Sequence, residues 1–216
     1  MIMDISKPKS KYKKSTFKDP YIYVVDGALT KKFCKKVIKK FEKDDTKKLG
    51  CFMGEESNEV AYDTDVKTSI DLFISGESDW EKEDKVFHSS LNKNYYEYIE
   101  RLYKLGLCNS DLSDLIDVGY QIQRTEPGGY YTFHHDFDPV TVRYLTFIWY
   151  LNDVTNDGYT EFIDGTRVQP KAGRFLMFPA TWTYVHRGYP PKNEVKYICT
   201  GWMSLHDRNG KPQEKI

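Results

Sequence analysis

At 216 residues the chain is long enough for one domain with a full core and too short for two of ordinary size. Its 32 basic and 32 acidic residues cancel, which excludes the broad positive field of a general phosphate binder and argues against a nucleic-acid partner. Cys34, Cys51, Cys108 and Cys199 share no short spacing and no apolar run approaches the roughly 20 residues of a membrane helix, so a zinc knuckle, a disulfide frame and a membrane span are all excluded and a reducing, cytoplasmic setting is expected.

Residues 1–19 hold six lysines and two aspartates without hydrophobic period and read as a flexible tail; residues 207–216 read as a second tail. Residues 21–25 suggest a short strand. Thr30 then offers an N-cap to an amphipathic helix with Phe33, Val37, Ile38 and Phe41 on one face. Residues 43–66 are polar and contain glycine, as a loop and a candidate lid would, and 67–75 return to a strand pattern. Between Asp84 and Leu105 the positions Phe87, Leu91, Tyr95, Tyr98, Ile99 and Leu102 recur at steps of three and four, and Gly106 follows as a C-cap, which gives the longest helix. Beyond it the texture changes to short strands separated by turns, at 118–124, 131–136, 143–151, 160–163, 174–178, 183–187 and 196–204. The 17 tyrosines and 12 phenylalanines suit such a strand-rich half. Helices first and strands afterwards imply an α+β domain over 20–206, with helical support at 20–115 covering one sheet of a two-sheet barrel at 116–206.

Within the 131–136 strand, His134 and Asp136 are two apart, so alternation points an imidazole and a carboxylate to one side. His186 falls on the penultimate expected strand, and two histidines with one carboxylate make the facial set that leaves open positions on iron(II). His135 and Asp138 compete for these roles; His135 should face away from Asp136 and has no aspartate two residues on. Chance alone can produce a His-x-Asp triplet and a later histidine among five histidines. The added weight comes from Lys196, ten residues after His186 at the start of a strand, where a cation could pair with a carboxylate.

These residues together resemble the 2-oxoglutarate-dependent dioxygenases, and among them the prolyl 4-hydroxylases and their small bacterial and viral relatives, over roughly residues 20–205. The family's HxD, distal histidine and lysine ten positions on are matched by His134, Asp136, His186 and Lys196. Arg143 to Thr146 is similar to the family's Arg-x-x-Thr, Tyr150 to Asp153 to its Tyr-Leu-Asn-Asp, Thr160 to Phe162 to its Thr-x-Phe, Lys196 to Trp202 to its Lys-(five)-Trp, and Val66 to Ser69 to its Val-Arg-Thr-Ser. Departures are Thr125, where many relatives have an aromatic before the turn of Glu126 to Gly129, and Tyr159 in place of the second glycine of a Gly-Gly turn; both bear on the mouth of the site and hence on the substrate.

The resemblance implies a double-stranded β-helix, of jelly-roll or cupin type, with Fe(II) held by His134, Asp136 and His186, 2-oxoglutarate as co-substrate, O2, and ascorbate as an accessory. It implies that Lys196 binds the distal carboxylate of 2-oxoglutarate, that Tyr131 and Tyr150 contact that molecule or frame its pocket, and that Arg143 and Trp202 face the prime substrate. As bare residues, Lys196 could be an exposed strand lysine, and Tyr131, Tyr150 and Trp202 could be core. The implied reaction hydroxylates an unactivated C–H bond, with a peptidyl proline favoured, and releases succinate and carbon dioxide. The same chemistry on a free amino acid or other small molecule, and a silent β-barrel binding module, are the alternatives.

Overall fold

The computed structural model describes residues 19–53, 60–108 and 115–205. Residues 1–18 of the tail expected at 1–19, the tail expected at 207–216, and the middle of the candidate lid at 54–59 lie outside these residues.

Two helices form where local signals agree. Helix α1 (Lys31–Lys43) starts at Thr30, whose Oγ1 accepts the Phe33 amide at 3.2 Å, and it buries Cys34, Val37 and Phe41. Helix α2 (Glu81–Lys104) follows directly on a 3-10 turn at Ser78–Trp80 and carries Glu81, Glu83 and Asp84 in its first turn, which is why it begins ahead of the expected Asp84. It ends in a Schellman motif: Gly106 takes φ 73°, its amide bonds the Tyr103 carbonyl, and the Leu107 amide bonds that of Leu102, each at 2.9 Å. The buried Glu83 carboxylate receives both Lys36 and Lys40 and ties the two helices together.

The strands are β1 (Tyr23–Val25), β2 (Lys48–Leu49), β3 (Phe52–Met53), β4 (Val60–Ala61), β5 (Ser69–Phe73), β6 (Ile116–Thr125), β7 (Tyr131–His134), β8 (Arg143–Tyr150), β9 (Thr160–Phe162), β10 (Arg167–Val168), β11 (Phe175–Pro179), β12 (His186–Gly188) and β13 (Lys196–Ser204). They make a seven-stranded sheet in the order β1-β11-β8-β13-β6-β5-β2, a four-stranded sheet β10-β9-β12-β7, and a small β3-β4 hairpin. Neighbouring strands in the two larger sheets run antiparallel throughout.

Alternation along the central strands separates two cores. Phe147, Trp149, Ile122 and Cys199 join α1 and α2 on one face of the large sheet, while Ile148, Tyr150, Leu176 and Phe178 meet Phe162 and Val168 of the small sheet on the other. Stripping Trp149 or Phe147 from the first core would open a cavity that costs about 3–5 kcal/mol.

The strand boundaries correct several expectations. The strand expected over 131–136 ends at His134, because beyond it the chain turns round the Asp138 carboxylate, which accepts the Val140 amide at 2.9 Å and the Thr141 hydroxyl at 2.7 Å. The strand expected over 183–187 begins only at His186, since the Tyr184 amide closes a turn on the Thr181 carbonyl. Strand β10 had no signal of its own.

Candidate metal centre

Antiparallel pairing sets His134 of β7 directly opposite His186 of β12. Asp136 reaches the same point from two residues beyond the end of β7, so its placement comes from the extended exit of the strand and not from sheet pairing. Exposure still alternates there: His135 and Phe137 are exposed, while the side chain of Asp136 keeps only 10% of its surface. His134 Nε2 stands 3.7 Å from Asp136 Oδ1, and His186 Nε2 stands 3.5 Å from Asp136 Oδ2. One ligand atom from each residue lies within 4.8 Å of the others, the one such group among the described residues.

The hydrogen bonds behind these atoms aim them. His134 Nδ1 lies 2.8 Å from the Thr132 carbonyl and His186 Nδ1 lies 3.0 Å from that of Tyr184, so each Nδ1 carries the proton and each Nε2 turns a lone pair inward. Thr146 Oγ1 donates to Asp136 Oδ2 at 2.7 Å and fixes the carboxylate. Phe178 packs edge-on to His186 at 4.8 Å, and Tyr131 stacks on His134 at 3.6 Å. Burial, reinforced by the neighbouring His186, pushes His134 down to about 3 and keeps it neutral, the form that binds metal. Burial by itself would raise Asp136, but the two imidazoles and the Thr146 hydroxyl outweigh it and hold the carboxyl below its ordinary range. Two carbonyl-anchored imidazoles facing an ionised carboxylate fit a divalent cation of the iron(II) kind.

Around this triad lies a cavity of about 1230 Å³. On the large sheet its wall includes Gln123, Thr146, Lys196 and Thr200, with Thr160, His186 and Gly188 opposite. Lys196 is 5% exposed and makes no hydrogen bond or ion pair among the described residues; burial alone lowers its ammonium to about 8. A methyl group built on Gly188 would sit 3.5 Å from its Nζ, so the absence of a side chain there keeps the space before the amine open. An unpaired buried cation of this kind calls for an anion.

The other expected residues divide. Tyr131 lines the cavity, and burial raises its hydroxyl well above the ordinary value. Tyr150 stands one layer behind: its hydroxyl donates to Thr160 Oγ1 at 2.7 Å, and it is Thr160 that reaches the cavity. Arg143 lies 3.8 Å over the Trp202 ring at the cavity wall. Arg143 Nε and Trp202 Nε1 are both buried without a partner among the described residues. Val142, just before Arg143, is held at φ 54°, a left-handed conformation that strains a β-branched residue by about 1–3 kcal/mol and sets the entry angle of β8. Asp138, the rival of Asp136, is engaged in its own turn and stands 3.7 Å from Arg143.

Sequence reasoning missed the buried pair formed by Lys67 and Asp71, 2.6 Å apart, with Ser69 Oγ donating to the same carboxylate at 2.7 Å; Lys67 and Ser69 both line the cavity. The i,i+2 alternation of Lys67, Ser69 and Asp71 was the available signal, but nothing local tells which side of an expected strand is covered.

An antiparallel two-sheet β fold with a centre of two histidines and one carboxylate in its chamber, and a buried amine on the chamber wall, defines a class of metal-dependent oxygenase. Residues 120–204, which hold all four of those groups, match the model of the 2OG-Fe(II) oxygenase superfamily. Among solved structures, the chain is similar to the viral collagen prolyl hydroxylase of Paramecium Bursaria Chlorella virus-1 in its 2OG complex, at 21% identity and a TM-score of 0.61, covering 85% of this chain and 95% of that one. A Trichoplax adhaerens prolyl hydroxylase in complex with a hypoxia inducible factor oxygen degradation domain peptide follows at 16% and 0.66, covering 86% and 84%. A Pseudomonas putida prolyl-4-hydroxylase stands at 15% and 0.61, covering 85% and 92%. At these identities the likeness is one of fold. No curated protein sequence matches. Among the described residues no helix is long and apolar enough to cross a membrane.

Proposed function

We propose that the chain is an Fe(II)- and 2-oxoglutarate-dependent dioxygenase that hydroxylates a residue of a peptide or protein, with proline as the target. Residues 20–206 act as one domain whose core is a double-stranded β-helix. The observation that carries this reading is the pairing of the His134, Asp136 and His186 triad with an unpartnered, buried Lys196 in one cavity.

His134 and His186 would hold the iron through Nε2 and Asp136 through its carboxylate, three protein ligands that would leave room for the co-substrate and oxygen. When bound, iron(II) with 2-oxoglutarate and O2 supplies the oxidation of an unactivated C–H bond, 2-oxoglutarate leaving as succinate and carbon dioxide. The Lys196 ammonium holds the distal carboxylate through a charge-assisted bond of about 1.5–3 kcal/mol. Tyr131 walls the chamber directly, and Tyr150 acts at one remove by orienting the Thr160 hydroxyl. Arg143, its guanidinium over the Trp202 ring at the cavity wall, is the residue that would face the prime substrate together with Trp202. Fold neighbours described as prolyl hydroxylases, one of them in complex with a peptide fragment, support a proline-containing peptide as substrate.

The test is to incubate the iron-loaded chain with 2-oxoglutarate and a broad panel of proline-containing peptides. Succinate release and the gain of one oxygen by at least one peptide are expected. Succinate release with no oxygen in any peptide would remove the peptidyl target and keep the cofactors; no succinate at all would remove both.

A further inference from the structure

Lys67 is a second buried amine on the cavity wall, and unlike Lys196 it is engaged. Its ammonium donates to Asp71 Oδ2 at 2.6 Å and to the Cys51 carbonyl at 3.2 Å, and Asp71 Oδ1 accepts the Ser69 hydroxyl at 2.7 Å. The same nitrogen stands over the Tyr131 ring, 5.3 Å from its centroid, within the range of a cation–π contact. Tyr131 in turn lies flat on His134, the ring centroids 3.6 Å apart and the planes inclined by 15°. An anchored ammonium, a phenol ring and a metal-ligand imidazole therefore form one continuous chain of contacts.

The main chain fixes this order. Lys67 and Tyr131 face each other in an antiparallel bridge, flanked by the Thr68 amide on the Tyr130 carbonyl and the Thr132 amide on the Val66 carbonyl, each at 3.0 Å. Cross-strand partners of this kind project their side chains to the same face. Residues 50 and 51 pack onto the amine: the Gly50 amide bonds the Ser69 carbonyl at 2.7 Å, and a methyl group built there would meet Ser69 Oγ and sit 3.1 Å from Lys67 Cε. The two ligand histidines differ in their need for such support. Strand β12, which carries His186, runs between β9 and β7, whereas β7 is the edge strand of the small sheet, and His134 takes its face-on cover from Tyr131. A buried ion pair yields little net stability over apolar residues of the same shape, so the Lys67 and Asp71 pair is better explained by the conformation it fixes.

We infer that Lys67 is a positioning residue of the metal centre, an inference that rests on the iron-binding part of the function proposed above. Anchored by Asp71 and the Cys51 carbonyl, its ammonium holds the Tyr131 ring, and the ring holds the His134 imidazole so that Nε2 stays on the metal position. The Nδ1 bond to the Thr132 carbonyl fixes one edge of that imidazole, and the stacked ring fixes its plane. Lys67 needs no contact with iron, co-substrate or substrate for this role, which distinguishes it from Lys196.

The experiment measures the iron(II) affinity of the full chain by anaerobic competition with a chelator, alongside the thermal unfolding midpoint. Lys67→Met with Asp71→Leu removes both charges at once, so the net charge near the metal is unchanged and no buried charge is orphaned. This double variant should weaken iron about three- to tenfold while the midpoint holds or rises. Tyr131→Leu should weaken iron at least as much, and in that background removing the pair should change the affinity by less than about twofold. Where the double variant does not fold, Asp71→Asn takes its place: it loosens the anchor but keeps a partner for Lys67, and should cost about two- to threefold, again only with Tyr131 present. A pair with a merely structural role would move the midpoint and leave iron affinity alone. Unchanged affinity in the pair variants, or losses from the pair and from Tyr131→Leu that multiply, would overturn the inference. So would unchanged affinity in Tyr131→Leu, a result that needs no folded Lys67 variant. A parent chain that binds no iron(II) would sink the proposed function and this inference together. Coupled losses of iron affinity in a chain that releases no succinate would sink the oxygenase reading and leave the positioning role standing.

Discussion

The two faces of the seven-stranded sheet are built on opposite rules from the same strands. Toward α1 and α2, Ile122, Phe147, Trp149 and Cys199 are wholly buried in an apolar cluster. Toward the small sheet, their immediate neighbours Gln121, Gln123, Thr146 and Thr200 line the cavity together with Lys196. A strand that alternates in this way keeps stability and function on separate residues one step apart, so the function side can hold an unpaired amine without dismantling the core that supports it.

The largest effect that would break this separation is at the metal. His186→Ala or Asp136→Ala should abolish succinate release while the thermal unfolding midpoint of the metal-free chain stays close to that of the parent; a collapse of the midpoint would mean that the two faces are one structural unit. Trp149→Ala, on the other face, should lower stability by about 3–5 kcal/mol in denaturant titration. Its folded fraction should bind iron normally.

Lys196→Met sharpens the contrast. It should weaken 2-oxoglutarate about ten- to a hundredfold, the loss of a charge-assisted bond, and yet leave the unfolding midpoint unchanged or raised, because an unpaired buried charge is removed. A lowered midpoint with unchanged affinity would reverse the assignment of that face. Thr146→Val, which frees Asp136 Oδ2 from its hydroxyl partner, should cost about ten- to a hundredfold in iron affinity measured by competition with a chelator.

The smallest effect is in pH. The Lys196 ammonium, lowered to about 8 from its ordinary 10.5, pairs with a carboxylate only while charged. Affinity for 2-oxoglutarate should be level below about pH 8 and then weaken by up to about tenfold per pH unit, a slope that Lys196→Met removes. In stability the sign is opposite: between about 8 and 10.5 the unfolded chain holds more protons at this position, so the contribution of Lys196 to stability rises with pH there.

How much of this was legible in the sequence depended on whether a residue's role is local. Thr30, Gly106 and the helix faces were readable because caps and periodicity act within one turn. His134, His186 and Lys196 were readable because their strands put them in the same chamber, and spacing of ten links the last two. Asp136 was identified for a reason that the structure replaces, since the strand stops at His134. Tyr150 shows the limit: alternation gave its side of the sheet, but only tertiary packing reveals that Thr160 stands between it and the cavity. Lys67, Ser69 and Asp71 carried a signal in their alternation, but which side of that strand is covered depends on packing against distant segments.

The most direct test of the iron and 2-oxoglutarate site is anaerobic titration of the full chain with both, followed by visible absorption. A new band is expected that needs both additions, saturates at one iron per chain, and is missing from His186→Ala. A band that appears without 2-oxoglutarate, or none in the parent chain, would contradict the assignment of His134, Asp136, His186 and Lys196 to one centre.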